Sequence, residues 1–104
     1  MSVPRGTTPT FTLTFAQSSG VDLTEAVNVY VTFLSGHKTI TKTGSDLTVG
    51  QRSIGVFLSQ EDTLSFGVGD VQIQANWTTG DGKRIASEIT RYPITGNLLP
   101  RVIE

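Results

Sequence analysis

Apolar and polar residues alternate through much of this chain, and a period of two is the signature of strands with one buried face. Phe11, Leu13 and Phe15 share one side of the first such stretch, with Thr10, Thr12 and Thr14 on the other. The strongest stretch sets Val27, Val29, Val31 and Phe33 against Asn28, Tyr30 and Thr32. Ile54, Val56 and Leu58 alternate again, with Phe57 opposite. Val71, Ile73, Ala75 and Trp77 line one face of a further strand, opposed by Gln72, Gln74 and Asn76. The segment Thr78 to Gly82 (TTGDG) turns the chain. On the return, Ile85, Ser87 and Ile89 oppose Arg84, Ala86 and Glu88, on a strand expected to reach about Tyr92.

Weaker elements fill the intervals. Lys38 to Thr43 (KTITKT) reads as a short polar edge strand, where lysine discourages unwanted pairing. Leu47 and Val49 mark a brief strand. Ser59 can cap the amide three residues on, and Asp62 stands where a capping-box acid stands, so Ser59 to Phe66 predicts one short helix crossing between sheets. Leu98-Leu99 is expected to tuck against the body, and Arg101 to Glu104 to fray. Before the first strand, two prolines and a glycine between Pro4 and Pro9 predict an extended arm that pairs poorly in a sheet.

These elements amount to about six or seven short strands with turn signals between them, the pattern of an all-β, immunoglobulin-like antiparallel β-sandwich with one crossover helix. A small closed barrel is the alternative. The expected organisation is an arm over residues 1–9 and a single domain over 10–104. The expected core is Phe11, Leu13, Phe15, Val27, Val29, Val31, Phe33, Ile54, Val56, Leu58, Val71, Ile73, Trp77, Ile85 and Ile89.

Composition narrows the chemistry. Charged residues make up 16% of the 104 positions, low against a usual value of about 25%. Eight basic residues face nine acidic ones, for a net charge of −1. No basic stripe tracks a phosphate backbone, so nucleic acid is not an expected partner. The small net charge gives little self-repulsion and tolerates close packing of copies. The absence of cysteine excludes disulfides and thiolate chemistry. No apolar run approaches the roughly 18–20 residues of a membrane span, and Met1 to Thr8 has no apolar signal region. A soluble chain made in the cytoplasm, with no membrane partner, is the expectation.

Candidate catalytic sites read better as structure. His37 is the single histidine, sits in a Ser-Gly-His turn, and has no second ligand type beside it. Asp81 in Gly80-Asp81-Gly82-Lys83 lacks the P-loop spacing and reads as a hairpin turn. Glu61 and Asp62 are adjacent, whereas a glycosidase needs carboxylates across a cleft; capping explains them. Trp77 falls at the core parity of its strand rather than on a sugar-stacking face. No catalytic, cofactor-binding or metal-ligating residue is assigned, and no enzyme is expected. Contact residues are a different matter. Gln72, Gln74 and Asn76 form an outward amide row that can pair without burying charge. The arm supplies Arg5, Thr7, Thr8 and Pro9, and an arginine there needs a carboxylate or carbonyl to meet. Arg5, Thr7, Thr8, Pro9, Gln72 and Gln74 are therefore the candidate docking residues.

Three stretches carry a family resemblance. Arg5-Gly6-Thr7-Thr8-Pro9-Thr10, the segment Leu58 to Phe66 (LSQEDTLSF), and Val71-Gln72-Ile73-Gln74 leading into Gly82 to Ser87 (GKRIAS) resemble small structural proteins of Gram-positive phages and prophages, encoded near tail and baseplate genes. The N-terminal domain of upper baseplate proteins is a looser likeness. The resemblance implies a non-enzymatic virion component, made in a bacterial host, that assembles or adapts the tail or baseplate through contacts with other virion proteins or with copies of itself. A capsid decoration or head-fibre base is the alternative, and a carbohydrate-binding module touching the host surface is another.

Overall fold

The structure, a computed structural model, describes residues 2–36 and 38–103. The turn reading of His37 thus lies outside the described residues. Nine strands among them form two sheets. Across the larger sheet lie β1 (Val3–Pro4), β9 (Thr90–Thr95), β7 (Gly69–Thr79), β3 (Ala26–Ser35) and β4 (Lys38–Thr43), with β8 (Arg84–Ala86) beside the second half of β7. The smaller sheet is β2 (Thr10–Thr14), β6 (Ser53–Phe57) and β5 (Leu47–Val49). The expected all-β sandwich forms, with α1 (Gln60–Leu64) crossing from β6 to β7. The strands beyond the expected six or seven are pieces of two or three residues. Every pairing is antiparallel except that of β1 with β9, which is parallel.

The spine is the β3–β7 pair. Phe33 sits opposite Ile73, Val31 opposite Ala75 and Val29 opposite Trp77. Val71, Ile73, Ala75 and Trp77 are all buried, as their alternation predicts. Phe11, Ile54 and Val56 of the smaller sheet, with Leu58 just past β6, close over them. Phe11 meets Phe33 at 5.7 Å and the edge of Tyr92 at 5.0 Å, while Phe15 meets Trp77 edge-on at 5.6 Å. Such tilted pairs add about 0.5–1.5 kcal/mol beyond the area they bury.

Alternation misleads where the backbone leaves the ladder. Val27 is 61% exposed rather than in the core, because Ala26 pairs with Thr79 and Asn28 with Thr78, leaving Val27 as a bulge. Ile89 is 51% exposed because it lies between β8 and β9, outside both. Ile85 keeps core parity opposite buried Trp77 but remains 40% exposed, since no strand of the smaller sheet covers it. Leu98 and Leu99 do not tuck in; both are exposed. Phe66, Leu23 and Ile94, unassigned by periodicity, are buried.

The crossover is built as its sequence predicts. Asp62 N–H donates to Ser59 Oγ at 3.1 Å, and Ser59 N–H donates to Asp62 Oδ2 at 3.0 Å, a complete capping box. Lys42, on the inner side of edge strand β4, reaches the same Oδ2 at 2.8 Å. Burial pushes the Asp62 carboxyl up, but the Lys42 ammonium and the Ser59 amide outweigh it and hold it below the usual carboxylate range.

Asp62→Ala removes both the cap and the ion pair and is expected to cost about 1–2 kcal/mol in urea unfolding. Because the native carboxyl is lowered, its stabilisation is complete above the ordinary value of about 3.9 and is lost as pH falls through the native one. Acidification below about pH 4 should therefore lower the unfolding midpoint of the native chain more than that of Asp62→Ala. An equal loss in both would show that Asp62 carries no such linkage.

Candidate interaction surface

The arm is docked on its own chain. Val3 is buried and pairs with Ile94, and Arg5 N–H donates to Thr95 O at 2.9 Å. The expectation of an unpaired stretch from Pro4 therefore needs correction: Pro4 pairs with Thr95 at a sheet edge, where a missing N–H is harmless. The Arg5 guanidinium donates to Leu64 O at 2.6 Å, while Asn97 Nδ2 donates to Arg5 O at 2.8 Å. Arginine thus finds a carbonyl of this chain at the end of α1. Gly6 takes a φ of +83°, and a Cβ there would stand 3.2 Å from Leu64 Cδ2, so the turn needs glycine. Buried Thr63 donates its hydroxyl to Thr7 O at 2.8 Å, and Leu58 N–H donates to Pro9 O at 3.0 Å. Arg5, Thr7 and Pro9 thus carry the chain from the larger sheet to the smaller and close one end of the sandwich. Thr8 is exposed.

Gln72 and Gln74 lie on the outer face of the larger sheet, half-buried among neighbouring side chains. Gln72 stands between Leu34 and Arg91 across the ladder. Gln74 turns its amide sideways and donates to Ser87 O at 2.9 Å. The structure brings neither glutamine together with the arm residues, which occupy the β1 edge.

Ser87 explains the gap between β8 and β9. Its N–H donates to Ala75 O at 2.8 Å in the normal way. The answering bond from Ala75 N–H goes to Ser87 Oγ, at 2.9 Å, instead of to a carbonyl. A side chain has taken the place of backbone in the ladder, and the following residues swing away from β7.

That swing opens a groove of about 710 Å³ between β2 and the β8–β9 break. Leu13, Phe15 and Val21 form one wall, and Trp77, Ile85 and Thr90 the other, with Glu88 the one charged group among its lining residues. Above it runs the free edge of β2. Leu58 N–H bonds Pro9 O and Phe15 N–H bonds Arg52 O, which sets the odd positions of β2 as those bonded to β6. Thr10, Thr12 and Thr14 therefore direct their N–H and C=O groups away from β6, toward open space.

The other strand edges are guarded. β4 carries Lys38 and the inward Lys42; β1 has two residues, one of them proline; β5 and β8 have three each. β2 has five residues, no charge, no proline and no bulge. Sequence reasoning placed the docking residues on the arm and at Gln72 and Gln74, not on this edge. The available signal was an uncharged alternating strand, TFTLT, with no gatekeeper.

The sites weighed as catalytic fall into structural roles. Glu61 and Asp62 begin α1. The Thr79 hydroxyl bonds the Asp81 carboxyl and lowers its pKa, and Gly82, with φ of +86°, completes that turn. Trp77 is 3% exposed and offers no flat face to a sugar. Among the described residues, no group of three or more Asp, Glu, His or Cys side chains is placed to hold a metal ion, and no helix is long and apolar enough to cross a membrane. Set against models of known protein families, the chain matches none, and a search of curated proteins finds no similar sequence.

Thr63→Val keeps the shape of the buried side chain and removes its bond to the arm. It is expected to cost about 1–3 kcal/mol and to speed tryptic cleavage after Arg5 while the far-ultraviolet spectrum stays native. Unchanged cleavage would show that this hydroxyl does not hold the arm.

Proposed function

We propose that the chain is a non-enzymatic structural protein of a phage or prophage virion, a tail or baseplate assembly or adaptor subunit that works through protein–protein contacts. The observation that carries the contact reading is the free edge of β2 beside an apolar groove. Thr10, Thr12 and Thr14 hold unpaired backbone groups in strand geometry, and Leu13, Phe15, Trp77 and Ile85 lie below them. An added strand satisfies the first and covers the second, which is how β-augmentation combines affinity with side-chain selectivity. The virion assignment draws on the resemblance of Arg5 to Thr10, Leu58 to Phe66, and Val71 to Gln74 leading into Gly82 to Ser87, to small phage proteins. A fold of this kind hosts many functions, so the location must come from the particle itself.

The test is to tag the chain in a lysogen, induce it, purify particles, and separate tails from heads before mass spectrometry. Recovery with tails is the expected result. Recovery with heads overturns the tail assignment in favour of a decoration protein, and recovery only in the particle-free lysate overturns the virion reading.

A further inference from the structure

We infer that the β2 groove is filled by the segment Asn97–Ile103 of a second copy of this chain, so that copies join head to tail. This rests on the reading of the chain as a structural subunit and names the occupant of its docking edge.

The chain carries both halves of the contact. After β9, Leu98, Leu99, Val102 and Ile103 are exposed apolar side chains. Within that segment Arg101 is the charged residue, and Glu88 is the charged residue of the groove. With Arg101 turned toward Glu88, Leu99 and Ile103 lie on the same face of an extended segment and meet the apolar wall of Leu13, Phe15 and Ile85. The backbone register also fits. Running parallel to β2, the segment sets Leu99, Arg101 and Ile103 between the bonding positions of Thr10, Thr12 and Thr14, which keeps their side chains on the groove face and points the Pro100 nitrogen outward, where its lack of an N–H is tolerated.

Within one copy the segment is held elsewhere, with Asn97 Nδ2 bonded to Arg5 O and Ile103 bonded to the Gln60 amide. β9 ends beside Gly69, where Ile94 pairs, whereas the groove lies beside Trp77, eight residues further along β7. Those eight residues span about 27 Å of strand. The seven residues 97–103 reach at most about 25 Å, and only after reversing direction. The donor segment and the far part of the groove, at Trp77, Ile85 and Glu88, therefore lie apart within one copy. A contact between different surfaces propagates, giving a ring if the rotation closes and a filament if it does not. In the isolated chain, the Gln60 amide accepts from Ile103 N–H at 2.8 Å and donates to Ile103 O at 3.2 Å. That pair of bonds satisfies the backbone of the segment until a neighbour's strand edge replaces it.

Light scattering across a concentration series tests the contact, with Glu88→Arg, Arg101→Glu and the double variant alongside the native chain. The native chain is expected to form multimers. Each single inversion should weaken association at least about tenfold, and the double swap should restore it to within about threefold. Circular dichroism on each variant separates lost association from lost folding. As a second readout, a peptide of residues 97–103 should shift the emission of Trp77, the single tryptophan. A native chain that stays monomeric at every concentration overturns the contact, as does association indifferent to the single inversions. If such a chain still enters purified particles, the subunit reading stands and only the head-to-tail contact fails.

Discussion

The larger sheet presents more apolar surface than the three strands above it can cover. β7 alone runs eleven residues, whereas β2, β6 and β5 have five, five and three. Burial of the row from Val71 to Trp77 drives the two sheets together, because each such side chain removed from water contributes about 1.5–3 kcal/mol. The size mismatch then decides everything at the margins. One end of the long sheet is closed by α1 and by the arm, through Thr63, Leu64 and Asn97. Toward the other end nothing lies over Ile85, and the seam beside β2 stays open.

The polar interactions follow from the same mismatch. Lys42 points inward from an edge strand, a costly orientation unless its charge is met. Asp62 meets it while also completing the cap of α1. One carboxylate therefore fixes the helix start, neutralises the inward lysine and helps guard the β4 edge against further pairing. Ser87 has the opposite effect on its own edge. By replacing a carbonyl with a hydroxyl it ends β8 early and exposes the groove.

These edge features give the proposed assembly its physical form. A five-residue strand with no charge and half its backbone groups unpaired is stable beside water only as long as no partner strand is near. Its neighbours in the fold all carry lysine, proline or shortness as protection. Leaving one edge unguarded while guarding the rest confines strand addition to a single direction.

Much of this was legible from residue order alone. Period-two alternation fixes the inward rows of β2, β3, β6 and β7, because a buried face must repeat every second residue in a strand. Ser59 and Asp62 determine where α1 starts, and glycine with aspartate determines the turn at Gly80 to Gly82, because both are local hydrogen-bonding problems. The exposure of Val27, Ile85, Ile89 and Leu98 was not legible. Each depends on whether backbone from a distant part of the chain arrives to pair or to cover. The same holds for the arm, whose prolines announce an extended shape but not that Leu64, Thr95 and Thr63 will receive it. Local sequence settles which face a strand buries; only the assembled sheets decide which edge is left open, since an edge is defined by the strand that is missing.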